Sequence, residues 1–236
     1  MRNQIEFKVY GRYALFTDPI TKVGGEKFTY QVPTYQALIG ICESIYWKPT
    51  IQWKIDQLRV INPIRTQSQG IRPINYSGGN TLSIYTYLVD VEYEVRAHFK
   101  WNTNRPDLED DRNEHKHFFV AKRMLERGGR RDIFLGTREC QAYVEPVKFG
   151  EKKGFYDQYG ELQFDLMFFS FEYPSDSGKE ELIAYFSKPL MKNGIIQFPS
   201  TTEDMQSKFI KRMKFNKIKT IGLEEKGLLQ NYKEEV

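Results

Sequence analysis

The stretch from Tyr85 to Trp101 restricts the fold more than any other part of the chain. Val89, Val91, Tyr93, Val95, Ala97, Phe99 and Trp101 fall on one side of a period-two pattern, with Arg96, His98 and Lys100 on the other. This is the signature of a long strand with one apolar face, and such a strand needs partners on both edges. Ile5, Phe7 and Val9 alternate with Glu6, Lys8 and Tyr10 in a first strand. Ile51, Trp53 and Ile55, followed after a shift by Leu58 and Val60, form another. Ala142, Val144 and Val147, between Glu139 and Phe149, give a fourth.

Two helices separate these strands. Pro33-Thr34 opens a helical spacing of Leu38, Ile39, Ile41, Cys42, Ile45 and Tyr46 that stops before Pro49. After a polar linker from Asn102 to Asp111, Asn113 is placed to cap an amphipathic helix that runs to about Arg127 and is ended by Gly128-Gly129. Residues 63–80, with turn signals at Gly70 and Ser77-Gly78-Gly79, read as a hairpin arm. The order strand, helix, strand, strand, helix, strand predicts an α+β chain with a ferredoxin-like or RRM-like N-terminal domain over 1–148, whose helix-free sheet face is open to a ligand. Strand-like runs at 163–173, 182–188 and 194–198 predict a small C-terminal antiparallel β domain over 149–205. The remainder, 206–236, reads as a basic tail through Lys208, Lys211, Arg212, Lys214, Lys217 and Lys219.

Composition narrows the function. The 236 residues are 40% apolar and carry a net charge of +4, which suits a folded protein with a mild preference for polyanions. Two cysteines, Cys42 and Cys140, give neither a disulfide framework nor a zinc pattern, and a reducing cytoplasm fits them. No export signal or long apolar span is written in the sequence. The motifs GxxxxGK[ST] and GxGxxG are absent, so nucleotide hydrolysis has no support.

Positive charge is concentrated locally. Lys122, Arg123, Arg127, Arg130 and Arg131 crowd the second helix and its exit, opposed only by Glu126, and such a cluster can replace counterions along a phosphate backbone. Lys22, Lys27, Arg65, Arg72 and Arg138 are further candidate RNA contacts. A solvated helix face would use the same residues.

His115 and His117 flank Lys116 at the start of that helix. In RNA the 2′-hydroxyl supplies the nucleophile, so cleavage needs a base, an acid and charge stabilisation, which a His, a Lys and a phenol together provide. Two ordinary polar residues at a helix start would look the same. A metal reading draws on Asp107, Glu109, Asp110, Asp111, Glu114 and the two histidines. On a helix, residues two apart point about 200° apart, so His115 and His117 cannot share one ion there, and acids ahead of a helix are accounted for by its dipole.

Four blocks, ALFTDPITKVGGEKFTYQVPTYQALIGICESIYWKPT (14–50), RPDLEDDRNEHKH (105–117), GGRRDIFLGTRECQAYV (128–144) and NGIIQFP (193–199), resemble the Cas-five family of type I-C CRISPR systems, pre-crRNA endoribonucleases of the RAMP superfamily. The resemblance covers about residues 1–200. It implies a ferredoxin-like domain followed by a small β domain. It also implies metal-independent cleavage of CRISPR repeat RNA at the 3′ base of its stem-loop, no cofactor, and retention of the product in the Cascade complex with its backbone and large subunits. The family's catalytic Tyr, Lys and His fall on Tyr46, Lys116 and His117. Many relatives in other subtypes are non-catalytic scaffold subunits that bind the crRNA 5′ handle in Cascade, which is the alternative expectation.

Overall fold

The computed structural model describes residues 3–214. Its strands in chain order are β1 (Gln4–Ala14), β2 (Lys27–Phe28), β3 (Ile51–Val60), β4 (Thr66–Ile71), β5 (Ser83–Trp101), β6 (Ile133–Phe134), β7 (Gln141–Pro146), β8 (Glu161–Gln163), β9 (Met167–Glu172), β10 (Glu181–Ser187), β11 (Leu190–Lys192), β12 (Ile195–Gln197) and β13 (Gln206–Arg212). The helices are α1 (Tyr35–Ile45), α2 (Glu114–Glu126) and the short α3 (Pro174–Ser177). The chain is α+β with a mostly antiparallel sheet. No helix among the described residues is long and apolar enough to cross a membrane.

The long strand is the centre of the molecule. β5 pairs with β1 on one edge and β3 on the other, both antiparallel, and the principal sheet runs β6-β7-β1-β5-β3-β12-β11-β8. The extra length of β5 toward its start is used by β4, which pairs Thr66–Ile71 against Ser83–Leu88 and makes the expected hairpin arm. β2 adds there in parallel. Phe7, Val9, Ile55, Leu58, Tyr93, Val95, Ala97 and Phe99 are buried in the main core with Leu38, Ile41, Cys42 and Ile45 of α1 and Ala121 and Leu125 of α2. A register shift between Ile55 and Gln57 is the physical cause of the phase change in β3. The bulge takes up Asp56 and returns Leu58 and Val60 to the apolar face.

Three expectations are corrected. The sheet face away from the helices is not open, because residues 149–157 lie across it. The Arg96 guanidinium sits 4.5 Å from the Phe149 ring centroid, and Gly150 N–H donates to Glu94 at 2.8 Å. Arg59 donates to the Lys152 carbonyl at 2.6 Å and to Asp157 at 2.8 Å. Of the three strands expected in the C-terminal part, the one at 194–198 instead extends the principal sheet, since β12 pairs with β3 and carries β11 and β8 outward. β9, β10 and β13 form a separate three-stranded sheet, so residues 206–212 of the expected tail are a strand, exposed along its length and paired with β10. Lys217 and Lys219 lie outside the described residues.

Candidate active site

Local sequence chemistry brings the end of α1 to the start of α2. The Thr34 hydroxyl caps α1 by accepting from Ala37 N–H at 3.2 Å. The helix closes at Tyr46, whose extended backbone (φ −154°) turns the chain toward β3. Trp53 then fixes that turn, its indole N–H donating to the Tyr46 carbonyl at 2.7 Å inside the core. On α2 the Asn113 side chain accepts from Lys116 N–H at 3.0 Å, so the helix starts where the spacing predicts. Successive helical residues point about 100° apart. Lys116 therefore faces outward, its side chain 53% exposed, while His117 faces inward with no exposure.

His117 is the chemical centre of this junction. Its ring packs against Phe99 and Trp101 of β5, at centroid distances of 6.2 and 5.6 Å. Its Nε2 lies 2.7 Å from the Asp111 carbonyl oxygen, and its Nδ1 lies 2.8 Å from the Tyr46 hydroxyl. A carbonyl only accepts, so these partners assign the hydrogen to Nε2. Nδ1 of the neutral ring then accepts from the Tyr46 O–H. Tyr46 is 4% exposed, and burial, with the Asp111 charge adding to it, pushes its phenol up to about 12. The phenol therefore keeps its proton near neutrality, directed at a nitrogen able to take it.

In the sequence Asp111 reads only as a dipole-complementing acid or a metal ligand; in the structure it stands beside both Lys116 and His117. It ends a 3-10 turn, Pro106–Asp111, inside what the sequence reads as plain linker. Its carboxylate accepts from the buried Thr50 hydroxyl at 2.7 Å and pairs with the Lys116 ammonium, and it lies 3.4 Å from His117 Nε2. The Lys116 and Thr50 hydrogen bonds hold its carboxyl below the usual carboxylate range.

His115 points the other way, exposed and stacked near-parallel on Phe119. With Asn113, Lys116, Phe119, Lys122 and Arg123 it lines a shallow depression beside Lys116. Arg127, Arg130, Arg131 and Arg138 are exposed as well. The loop after α2 is tied back to the site, because Arg130 and Arg131 N–H groups donate to the Ser44 carbonyl in the last turn of α1, at 2.9 and 3.1 Å. Lys22, Lys27, Arg65 and Arg72 belong to a second region around the start of β5, where β2 and β4 pair with it. Lys27 lies over the Tyr85 ring, and Lys22, Arg65 and Arg72 are exposed. The structure thus brings Tyr46, Lys116 and His117 together and divides the basic residues into two groups.

Comparison with known proteins adds the following. Residues 4–199 match the family described as CRISPR-associated protein (Cas5), subtype Cas5d. The chain is 29% identical over 225 residues to the CRISPR pre-crRNA endoribonuclease Cas5d of Mannheimia succiniciproducens, covering 84% of this chain and 96% of that protein. It is 30% identical over 199 residues to the protein of the same name from Thermus thermophilus, covering 79% and 80%. A crystal structure of a CRISPR-associated protein superposes with a TM-score of 0.74 at 36% identity, covering 87% of this chain and 96% of that one. A functionally uncharacterized protein from Streptococcus mutans gives 0.69 at 37%, with the same coverage.

Proposed function

The chain belongs to the Cas5 family of CRISPR-associated proteins, and on that premise we propose that it is a pre-crRNA endoribonuclease that cuts CRISPR repeat RNA at the 3′ base of its stem-loop by attack of the adjacent 2′-hydroxyl. The observation that carries this reading is the hydrogen-bonded Tyr46–His117 pair with Lys116 beside it. The order β7-β1-β5-β3, with α1 and α2 between the strands, supports assigning this part of the chain to the ferredoxin-like class.

Burial assigns the roles. His117 has no surface with which to meet RNA, so it acts behind Tyr46, which retains a little. As the 2′-oxygen forms its bond to phosphorus, its proton passes to the Tyr46 oxygen while the phenolic proton moves to His117 Nδ1. The 5′-oxygen bond then breaks, and the proton returns through Tyr46 to the leaving oxygen. A 2′,3′-cyclic phosphate and a 5′-hydroxyl result, and the scheme consumes no cofactor or metal. Lys116, held by its pair with Asp111, stands beside the phosphorane and offsets its charge. Lys122 and Arg123 line the depression beside it, where they would hold flanking phosphates, and the products remain bound in Cascade.

The burial of His117 also favours a second reading, a non-cleaving subunit that holds the repeat-derived handle. Incubating the purified chain with repeat RNA in EDTA separates the two. Cutting at a single phosphate is expected; binding without cutting, with or without added divalent ion, would establish the second reading.

A further inference from the structure

We propose that Asp111 is the positioning residue of this site. Its main-chain carbonyl sets which nitrogen of His117 carries hydrogen, and its carboxylate holds Lys116 in place and balances the positive charge that His117 acquires. The inference rests on the cleavage reading above and deepens it.

Three side chains, one from the loop ahead of β3 and two from α2, converge on this one residue. Thr50, 1% exposed and just ahead of β3, donates its hydroxyl to one carboxylate oxygen, and Lys116 of α2 donates to the other. The carbonyl of the same residue receives His117 Nε2–H. A single residue thereby fixes Lys116, which faces the reacting phosphate in the proposed scheme, and His117, which stands behind Tyr46. The geometry also has a direction. With Nε2 committed to a carbonyl, Nδ1 is the free basic nitrogen, and Tyr46 is its one hydrogen-bond partner among the described residues. When Nδ1 takes the phenolic proton, the nearest counter-charge is the Asp111 carboxylate 3.4 Å from Nε2. The groups facing the ring are the Tyr46 hydroxyl from the end of α1, Phe99 and Trp101 from β5, and Asp111 from the 3-10 turn, with Lys116 adjacent on α2.

This differs from an ordinary acid at a helix start. The helix dipole asks only for negative charge near the first turn, which Glu114 also supplies. It does not require a hydrogen bond from the buried Thr50 or a carbonyl placed on an imidazole.

The test compares the wild-type chain with Asp111→Asn and Thr50→Val in single-turnover cleavage of repeat RNA and in RNA affinity. Asparagine keeps an oxygen for Thr50 and leaves the main-chain carbonyl in place, but removes the charge. The rate constant is expected to fall on the order of 10- to 10²-fold with little change in RNA affinity, because the group acts through its neighbours. Thr50→Val, which loosens the carboxylate without removing it, should lower the rate by less and at unchanged affinity. Should Asp111→Asn fail to fold by circular dichroism, the Thr50→Val rate decides. A wild-type rate constant in Asp111→Asn, or a rate loss matched by an equal loss of RNA affinity, would overturn the inference while leaving the cleavage reading intact. A wild-type chain that does not cut would remove both.

Discussion

Tyr46→Phe is expected to lower the cleavage rate constant about 10³-fold while leaving repeat RNA affinity within about twofold of wild type, the range for loss of a positioned proton-transfer group. The substitution removes one oxygen from a residue that is 4% exposed, so the surface seen by RNA barely changes. What it removes is the one hydrogen-bond partner of His117 Nδ1 among the described residues. The orphaned acceptor should also cost stability, roughly 1–3 kcal/mol for a buried polar atom left without its bond. Cleavage and stability therefore fall together, whereas affinity does not. Single-turnover kinetics, filter binding and urea unfolding on one preparation check all three. A Tyr46→Phe protein that cuts at the wild-type rate would show that the phenol only fills space.

The second large effect is on the fold. Arg59 and Glu94 face each other across β3 and β5, 4% and 2% exposed, with a 2.9 Å ion pair between them. The same guanidinium reaches Asp157 and the Lys152 carbonyl, and the same carboxylate receives Gly150 N–H. Arg59→Ala leaves Glu94 buried and unpaired, and breaking such a pair from one side costs about 3–5 kcal/mol. We expect urea unfolding to register a loss of that size. We also expect protease cleavage within 149–157, because that segment is held to the sheet by these bonds. A loss under about 1 kcal/mol would mean that the segment is held by its aromatic contacts instead.

How much of this was legible in the sequence follows from which interactions are local. The two caps, Thr34 and Asn113, are short-range hydrogen bonds, and both were readable from residue type and position. The shift in phase within β3 is written in its apolar residues, and it corresponds to the bulge at Asp56. The hairpin arm was marked by its glycines. The covering of the outer sheet face was not readable. It depends on Arg59 and Glu94, which alternate with apolar residues like any solvent-facing charges and differ from them only in having a distant loop as partner. His98 is buried on that face as well, its Nδ1 2.9 Å from the Asp56 carboxylate of the neighbouring strand. The short strands β8, β11 and β12 were misplaced or missed because three residues carry too little periodicity to say which sheet they join.

At the site, the resemblance pointed to Tyr46, Lys116 and His117, and the junction of α1 with α2 was deducible from the topology. That His117 lies wholly inside was not deducible. Lys116 and His117 are adjacent polar residues in the first turn of an amphipathic helix, and only the packing of Phe99 and Trp101 decides which of them is covered. The contribution of Asp111 was hidden for a different reason: half of it is made by a main-chain carbonyl, which every residue has.

The central claim is that RNA is cut by its own 2′-hydroxyl, deprotonated through Tyr46. The measurement that bears on it most directly is cleavage, in EDTA, of a repeat RNA carrying a single 2′-deoxynucleotide immediately before the cut, beside the all-ribo substrate. The account predicts that the modified RNA binds normally and is not cut at that phosphate, while the all-ribo RNA is cut to leave a 5′-hydroxyl. Undiminished cutting of the deoxy substrate would contradict it and assign the attack to another nucleophile.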